Sequence, residues 1–428
     1  MTTAASASAP GKQRGRWRWL RRTFVGLLVL ILGIALLATL ATAWAIRRPF
    51  PVTSGVLVVG GLEQPVTVQR DAWGIPSVYA STSHDLFFGQ GYVHAQDRFW
   101  EMDFRRHVTA GRLSEMFGDT TLDTDEFVRT MGWRRIAEQE VALLSPDTRG
   151  LLQAYADGVN AYVADRSPTD LSLEYSVLWL TNRGYTVEPW TPADSLAWLK
   201  AMSYDLSGNA TTEIERVLVA AKVGAARAAQ VFPDYPYDRH RPILGQGAWS
   251  GAGPDAVFDQ NLPAPTSSPA DTALALAQTR SALQDVGNQL ATVRALLGLQ
   301  GQHAGAGSNN WVVSGELTAT GKPLLANDPH LAPSMPSIWT QMGLHCVPVS
   351  SACPYDVAGF TFSGFPGVII GHNASIAWGF TNLGPDTQDL FLEKVEGDAV
   401  LVDGAARPMA TRQEVIEVAG GEPVTIAV

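Results

Sequence analysis

The chain has 428 residues, 46% of them hydrophobic and 13 of them Trp, which suits two or three domains and a sizeable core. Its 31 Lys plus Arg stand against 41 Asp plus Glu, a net charge of -10, so nucleic acid is excluded as a partner of anything beyond the N-terminal segment. Two cysteines, Cys346 and Cys353, lie in a turn-rich stretch compatible with a small disulfide loop in an oxidising compartment. Spacing alone leaves the pairing open, because a bridge also needs the right geometry.

In chain order, Lys12, Arg14, Arg16, Arg18, Arg21 and Arg22 precede an uncharged run from Thr23 to Ile46. That run is long enough to span a bilayer as a helix, and the basic flank predicts that residues 1–22 stay cytoplasmic. Two readings stay open: residues 23–46 are a retained transmembrane anchor, or a signal removed at the small-x-small site Ala41-Thr42-Ala43. Arg21-Arg22-Thr23-Phe24 is a partial twin-arginine match. Under either reading the large domain lies outside the cytoplasm, held at the cell membrane or released to the periplasm or medium.

Residues 50–244 open with short strands expected at 55–59, 66–70 and 75–79, with Asp71-Ala72-Trp73-Gly74 as a turn. Ser83 offers an N-cap for a helix through about Arg106, whose Leu86, Phe87, Val93, Phe99 and Trp100 read as core. Further helices are expected at about 148–165, 192–206 and 211–231. Between 245 and 307 Gly, Pro, Ala and Ser dominate, with a helical island over about 271–297. That span reads as a linker or removable spacer, or as a surface excursion within one domain. From 308 to 428 the pattern turns to strands, expected at 311–313, 317–319, 323–326, 339–345, 359–362, 368–370, 376–380, 415–418 and 424–428. The last lacks a capping turn or polar tail, so the expectation is a fragment that ends in an unpaired strand.

The junction Gly307-Ser308-Asn309-Asn310-Trp311 places a serine between a glycine-rich run and an apolar strand. It is either an ordinary linker-to-strand junction or a site of backbone scission. Scission would give Ser308 both a hydroxyl nucleophile and its own free α-amino base. Ser-x-x-Lys, Gly-x-Ser-x-Gly and His-Glu-x-x-His are all missing from the sequence. Gly315 to Lys322 imitates a phosphate loop but has one residue too many and Pro323 where Ser or Thr is required, so it reads as a hairpin turn. Asn327-Asp328-Pro329-His330 follows one hairpin later, which could bring His330 back beside Ser308.

Together these segments resemble the penicillin acylase family of N-terminal-nucleophile hydrolases, which includes cephalosporin and acyl-homoserine-lactone acylases. The resemblance covers roughly 50–428 through VQRDAWGIPSVYA, GYVHAQDRFWEMD, LLQAYADGVNAY, the Gly307-Ser308 junction, LLANDPHL, and Gly371-His372-Asn373-Ala374-Ser375-Ile376-Ala377-Trp378-Gly379. It implies an α+β fold: an αββα sandwich, incomplete in this chain, wrapped by a largely helical α chain. It also implies a precursor that cuts itself between Gly307 and Ser308, loses a spacer and becomes an α/β heterodimer acting on acylated small molecules.

By the same resemblance Ser308 is the nucleophile, His330 stands near its amine as in cephalosporin-type members, and the backbone N–H of Asn382 is one oxyanion donor. The family's second donor is an asparagine side chain beyond Val428, so little activity is expected of this chain alone. Met202, Leu206, Leu331, Ile370 and Phe380 match acyl-pocket positions, with ordinary core packing as the other reading. A calcium ion (Ca2+) is implied at Glu213, Asp386, the carbonyl of Gln388 and Asp389, hard oxygen ligands that suit it. A solvated acidic loop is the other reading of those positions. A membrane-anchored scaffold or binding module without activity is the rival function.

Overall fold

The computed structural model describes residues 13–207, 209–233, 239, 248–250, 257–259, 272–297, 308–331, 333–382, 388, 390–391, 393–402 and 404–428. Its helices fall mostly before residue 300 and its strands mostly after it, an α+β chain. The N-terminal helix Gln13–Arg47 is almost wholly exposed from Trp17 onward, and its last turn meets the helix Leu173–Thr181. Its segment Trp17–Arg47 is long and apolar enough to cross a membrane, a test that a signal sequence also passes.

Two parts of the chain meet in one six-stranded sheet. Its order is Thr67–Arg70, Pro76–Ala80, Trp339–Cys346, Asp356–Phe362, Ile370–Asn373 and Ala377–Trp378. The join is parallel, Ser77 opposite Gly343 through Ala80 opposite Cys346, and the other pairings are antiparallel. Burial of Val78, Leu344 and Met342 drives the join, with Leu86, Phe87 and Val93 of the following helix packed over them. Cys346 and Cys353 form a disulfide with their Cα atoms 5.6 Å apart, which settles the pairing left open by spacing.

The helix Ser83–Ala110 starts one residue later than its cap, which is Thr82 rather than Ser83; the Thr82 side chain accepts from the Asp85 N–H. It lies against Pro146–Val163 with little between the backbones. A Cβ on Gly91 would fall 2.1 Å from the Tyr155 carbonyl oxygen, and one on Gly158 1.9 Å from that of Phe88. Only glycine permits that approach at either position.

Several expectations are corrected. No strand forms at 55–59: Val56 and Val58 are almost fully exposed, because the alternation there meets no partner strand. The single helix expected at 211–231 is two, Asn209–Val223 and Ala225–Val231, separated by Gly224 at φ +86°. A strand expected at 317–319 is instead a short 3-10 turn, Gly315–Leu317. The chain's last strand is not unpaired: Val424–Ala427 pairs antiparallel with Gln413–Ile416. This hairpin docks on the helical part, with Arg129 Nη1 3.1 Å from Glu414 Oε2 and Arg412 Nη2 donating to the Arg129 carbonyl at 2.7 Å.

The helical island in the composition-shifted span is real, Thr272–Leu297. It is not a loose excursion. Leu290 and Val293 are buried in the same apolar cluster as Trp198, Met202 and Phe362.

Candidate active site

Ser308 heads the strand Ser308–Val313, and Leu324–Pro329 returns beside it in a two-stranded sheet of their own. Trp311, Val312 and Val313 facing Ala326, Leu325 and Leu324 supply the strand-forming residues. The intervening residues close as a hairpin turn, with the Thr318 hydroxyl donating to the Lys322 carbonyl at 2.7 Å. Ser308 is half-buried and lies directly opposite Pro329, so His330 follows immediately beyond the strand start. The register puts His330 one residue past the partner of Ser308, at the same end of the hairpin. The His330 ring is fixed by Asp328, Nε2 to Oδ2 2.9 Å, with both side chains partly in water.

Two asparagines gather the other segments at this hairpin. Asn327 donates from Nδ2 to the Asn309 carbonyl at 3.2 Å and to the Phe380 carbonyl at 2.8 Å. Its Oδ1 accepts from the Phe380 N–H at 3.2 Å. Residue 380 is thereby held beside the residue that follows Ser308. Asn382 then donates from Nδ2 to the Leu206 carbonyl at 2.9 Å, tying the same loop to the end of the helix Pro192–Ser207. Asn309, which follows Ser308, is joined through Asn327 to residue 380, and the loop of residue 380 through Asn382 to Leu206.

Of the five apolar positions, Met202, Leu206 and Leu331 share one cluster. Ile370 is buried in the six-stranded sheet outside that cluster, and Phe380 is 61% exposed. A cavity of about 390 Å³ near Val52 and Phe88 and another of about 660 Å³ near Trp44 and Tyr175 are lined by none of the expected site residues.

Two of the four expected calcium ligands converge. Asn209 Nδ2 lies 3.4 Å from Glu213 Oε1 and 2.5 Å from the Gln388 carbonyl oxygen, so one N–H₂ group stands between the two oxygens. The Gln388 side chain also donates to the Tyr204 carbonyl at 3.1 Å, which fixes its loop on the helical part. One carboxylate and one carbonyl are hard oxygen donors of the kind calcium takes, and here both accept from Asn209. Gly307, Asp386 and Asp389 lie outside the described residues.

Beneath the cluster, Asp205 is fully buried and has Arg294 Nε 3.7 Å from its Oδ1. Burial pushes the Asp205 carboxyl up to about 7, against the opposing pull of Arg294. A second buried group is His94, within the helix Ser83–Ala110. Its Nε2 lies 2.9 Å from Thr361 Oγ1, and that hydroxyl donates to the Thr340 carbonyl. The Thr361 oxygen must therefore accept, leaving the proton on Nε2 and making Nδ1 the acceptor from the Tyr155 hydroxyl at 2.8 Å. Tyr155 in turn accepts from the Gly364 N–H at 2.9 Å. Burial, with a smaller contribution from Arg98, pushes the His94 pKa down to about 3. A polar residue on the buried side of a helix was the available signal. A further group, Glu63, His84 and Asp85, has metal-like spacing, but both Asp85 oxygens accept backbone N–H groups of Glu63 and Gln64.

This is an α+β chain in which a serine-headed hairpin is bonded to the loop at residue 380, and that loop to the end of the helix Pro192–Ser207. The penicillin amidase family model matches residues 65–428, and the chain belongs to that family. It is 34% identical over 381 residues to the acyl-homoserine lactone acylase QuiP of Pseudomonas aeruginosa, covering 87% of this chain and 40% of the relative. It is 33% identical over 380 residues to the penicillin acylase 2 proenzyme of Pseudomonas sp. strain SE83, covering 88% of this chain and 44% of that protein. A solved thermostable penicillin G acylase from Alcaligenes faecalis is 26% identical, with a TM-score of 0.33, over 49% of this chain and 100% of that one. The chain spans less than half the length of the two Pseudomonas relatives.

Proposed function

We propose that this chain belongs to an exported, self-processing amidohydrolase that cleaves linear amide bonds of acylated small molecules. The observation that carries the reading is the double tether at the Ser308 hairpin: Asn327 bonds residue 309 to residue 380, and Asn382 bonds the same loop to Leu206. A nucleophile, an oxyanion donor and an acyl-pocket wall would need that kind of mutual fixing. Family membership and the proenzyme relative support the same conclusion.

In this reading the Gly307–Ser308 bond is cut, and the new Ser308 α-amino group has an ordinary pKa of about 7.7 to 8.0, neutral enough near pH 7 to act as base. The amine takes the Oγ proton as Oγ attacks the substrate carbonyl. The C–N bond then breaks, the amine returns the proton to the leaving nitrogen, and water hydrolyses the acyl-serine ester. The Asn382 backbone N–H stabilises the tetrahedral oxyanion, and His330 stands by the amine. Met202, Leu206 and Leu331 take the acyl group, with Ile370 and Phe380 completing the wall. Residues 50–244 and 308–428 then belong to the α and β chains of a heterodimer with an αββα core, and 245–307 is the segment between them. Glu213 and the Gln388 carbonyl, with Asp386 and Asp389, hold calcium, which supplies a structural cross-link between the two chains. Residues 23–46 hold the protein at the membrane with the large domain outside.

The test is mass spectrometry of the protein expressed at family length. A new N-terminus at Ser308 in the wild type and a single uncut species for Ser308→Ala are expected. A folded wild type that stays intact would overturn the reading.

A further inference from the structure

We propose that the helix Leu173–Thr181 is a second membrane contact that lies in the lipid headgroup layer beside the exit of the N-terminal helix. The proposal rests on the reading of residues 23–46 as a retained anchor. The helix has two apolar stripes where a surface helix needs one. Tyr175 and Leu178 face the core and are buried. Leu173, Val177 and Leu180, spaced four and three residues apart and so on one face, are 39%, 63% and 70% exposed. Scattered exposed apolar residues are ordinary, but an aligned stripe on a helix of nine residues requires a partner.

The anchor identifies that partner as lipid. The cavity of about 660 Å³ is walled on one side by Trp44, Ala45 and Arg48 and on the other by Tyr175, Trp179 and Leu180, so the helix sits against the anchor's last turn. The Arg48 guanidinium clamps Asp170 through both carboxylate oxygens and reaches the Ser167 hydroxyl at 3.1 Å, which holds this segment there. From Trp44 to Arg48 the anchor rises only about 6 Å, comparable to the roughly 5 to 8 Å depth of one headgroup layer. A helix that lies beside that turn, in the segment Arg48 holds, therefore lies at the level of the interface.

The chemistry of its edge fits the same level. Arg183 lies 4.7 Å above the Trp179 ring and Arg48 5.0 Å above the Trp44 ring. Tryptophans with adjacent cations match an interface where rings meet acyl chains and guanidinium groups meet phosphates.

The experiment uses the full chain in nanodiscs of phosphatidylcholine and phosphatidylglycerol. Both native cysteines are in the disulfide, so Leu180→Cys provides a single site for a spin label. Collision of the label with oxygen and with a water-soluble nickel chelate reports depth. Leu30→Cys marks the anchor. Leu143→Cys, 82% exposed and near the far end of the 18-residue helix Pro146–Val163, marks water. The expected result is a severalfold higher oxygen-to-nickel ratio at 180 than at 143, with residue 30 higher still. A lipid signal at 30 with 180 equal to 143 overturns the proposal while leaving the anchor standing. An aqueous signal at 30 overturns the anchor reading and the proposal with it.

Discussion

Gly379 packs so tightly on Asn327 that a Cβ at residue 379 would lie 2.7 Å from the Asn327 Cβ and 2.8 Å from its Cγ. Asn327 is the side chain that bonds both Asn309 and Phe380, so the contact sets how closely the Ser308 hairpin meets the loop leading to Asn382. Gly379→Ala must push the amide away from one or both partners. Overpacking of this kind costs about 1 to 3 kcal/mol. Denaturant titration of Gly379→Ala, alone and with Asn327→Gly, checks it. The double variant should lose less stability than the two single losses added together, since glycine at 327 removes the Cβ and the amide that the added methyl would meet. Simple additivity would count against the contact.

His94 makes an acid-side prediction. Its folded pKa of about 3 lies below the unfolded 6.5, so between those values the unfolded chain binds more protons and stability rises with pH. The contribution of neutral His94 is therefore present above about pH 6.5 and is lost as pH falls toward 3. His94→Gln should flatten that part of the stability curve relative to wild type. It should also cost about 1 to 3 kcal/mol near pH 7, through imperfectly satisfied Tyr155 and Thr361 hydroxyls. Urea midpoints from pH 4 to 7 for both proteins provide the comparison, and parallel curves would refute the assignment.

Local chemistry was the legible part of this chain. Strand-forming residues on both sides of a polar turn predict the Ser308 hairpin, and the helices expected from about 148 and 192 form from Pro146 and Pro192. What sequence could not supply was non-local: Ser77 pairs with Gly343 and Asn327 with residue 380, and no periodicity encodes a partner so far away. The strand expected at 55–59 fails for that reason, since alternation without a neighbouring edge makes no ladder. The break at Gly224 was missed because the residues around it are strong helix formers. Glu213 and Gln388 were named only through family resemblance, yet the structure brings both to Asn209.

That convergence predicts a response to calcium. Added calcium should raise the thermal midpoint of the wild type, because a ligand that binds only the folded state stabilises by about 2.7 kcal/mol at 100 times its Kd. Glu213→Gln removes the carboxylate charge but keeps the shape and a hydrogen-bonding oxygen. Its midpoint without calcium should stay near that of the wild type, and the increase on adding calcium should shrink or vanish. Differential scanning calorimetry with chelator and with calcium checks both arms. An undiminished calcium response in Glu213→Gln would remove that residue from the ligand set.

The last prediction concerns Asp205 and Arg294, which join the helix Pro192–Ser207 to the helix Thr272–Leu297. Because the folded pKa of Asp205 is raised to about 7 from 3.8, the folded chain binds more protons across that window. Its contribution to stability is therefore fully present below about pH 3.8 and is lost as pH rises through 7, opposite in sign to that of His94. Asp205→Asn isolates the effect: the stability of wild type minus that of the variant should fall between pH 5 and 7.5. Arg294→Met takes away the cation that offsets the cost of burying the carboxylate, so the decline should become steeper and extend to higher pH. The same variant tests the helix itself. With no cation facing it in that variant, an Asp205 carboxyl ionised above its folded pKa should loosen the seating of Leu290 and Val293 beside Met202, so Thr272–Leu297 should exchange its amide hydrogens faster at pH 8 than at pH 5. Exchange there must be corrected for the intrinsic rise with pH. If the corrected protection is the same at both values, the unpaired Asp205 charge does not loosen that helix.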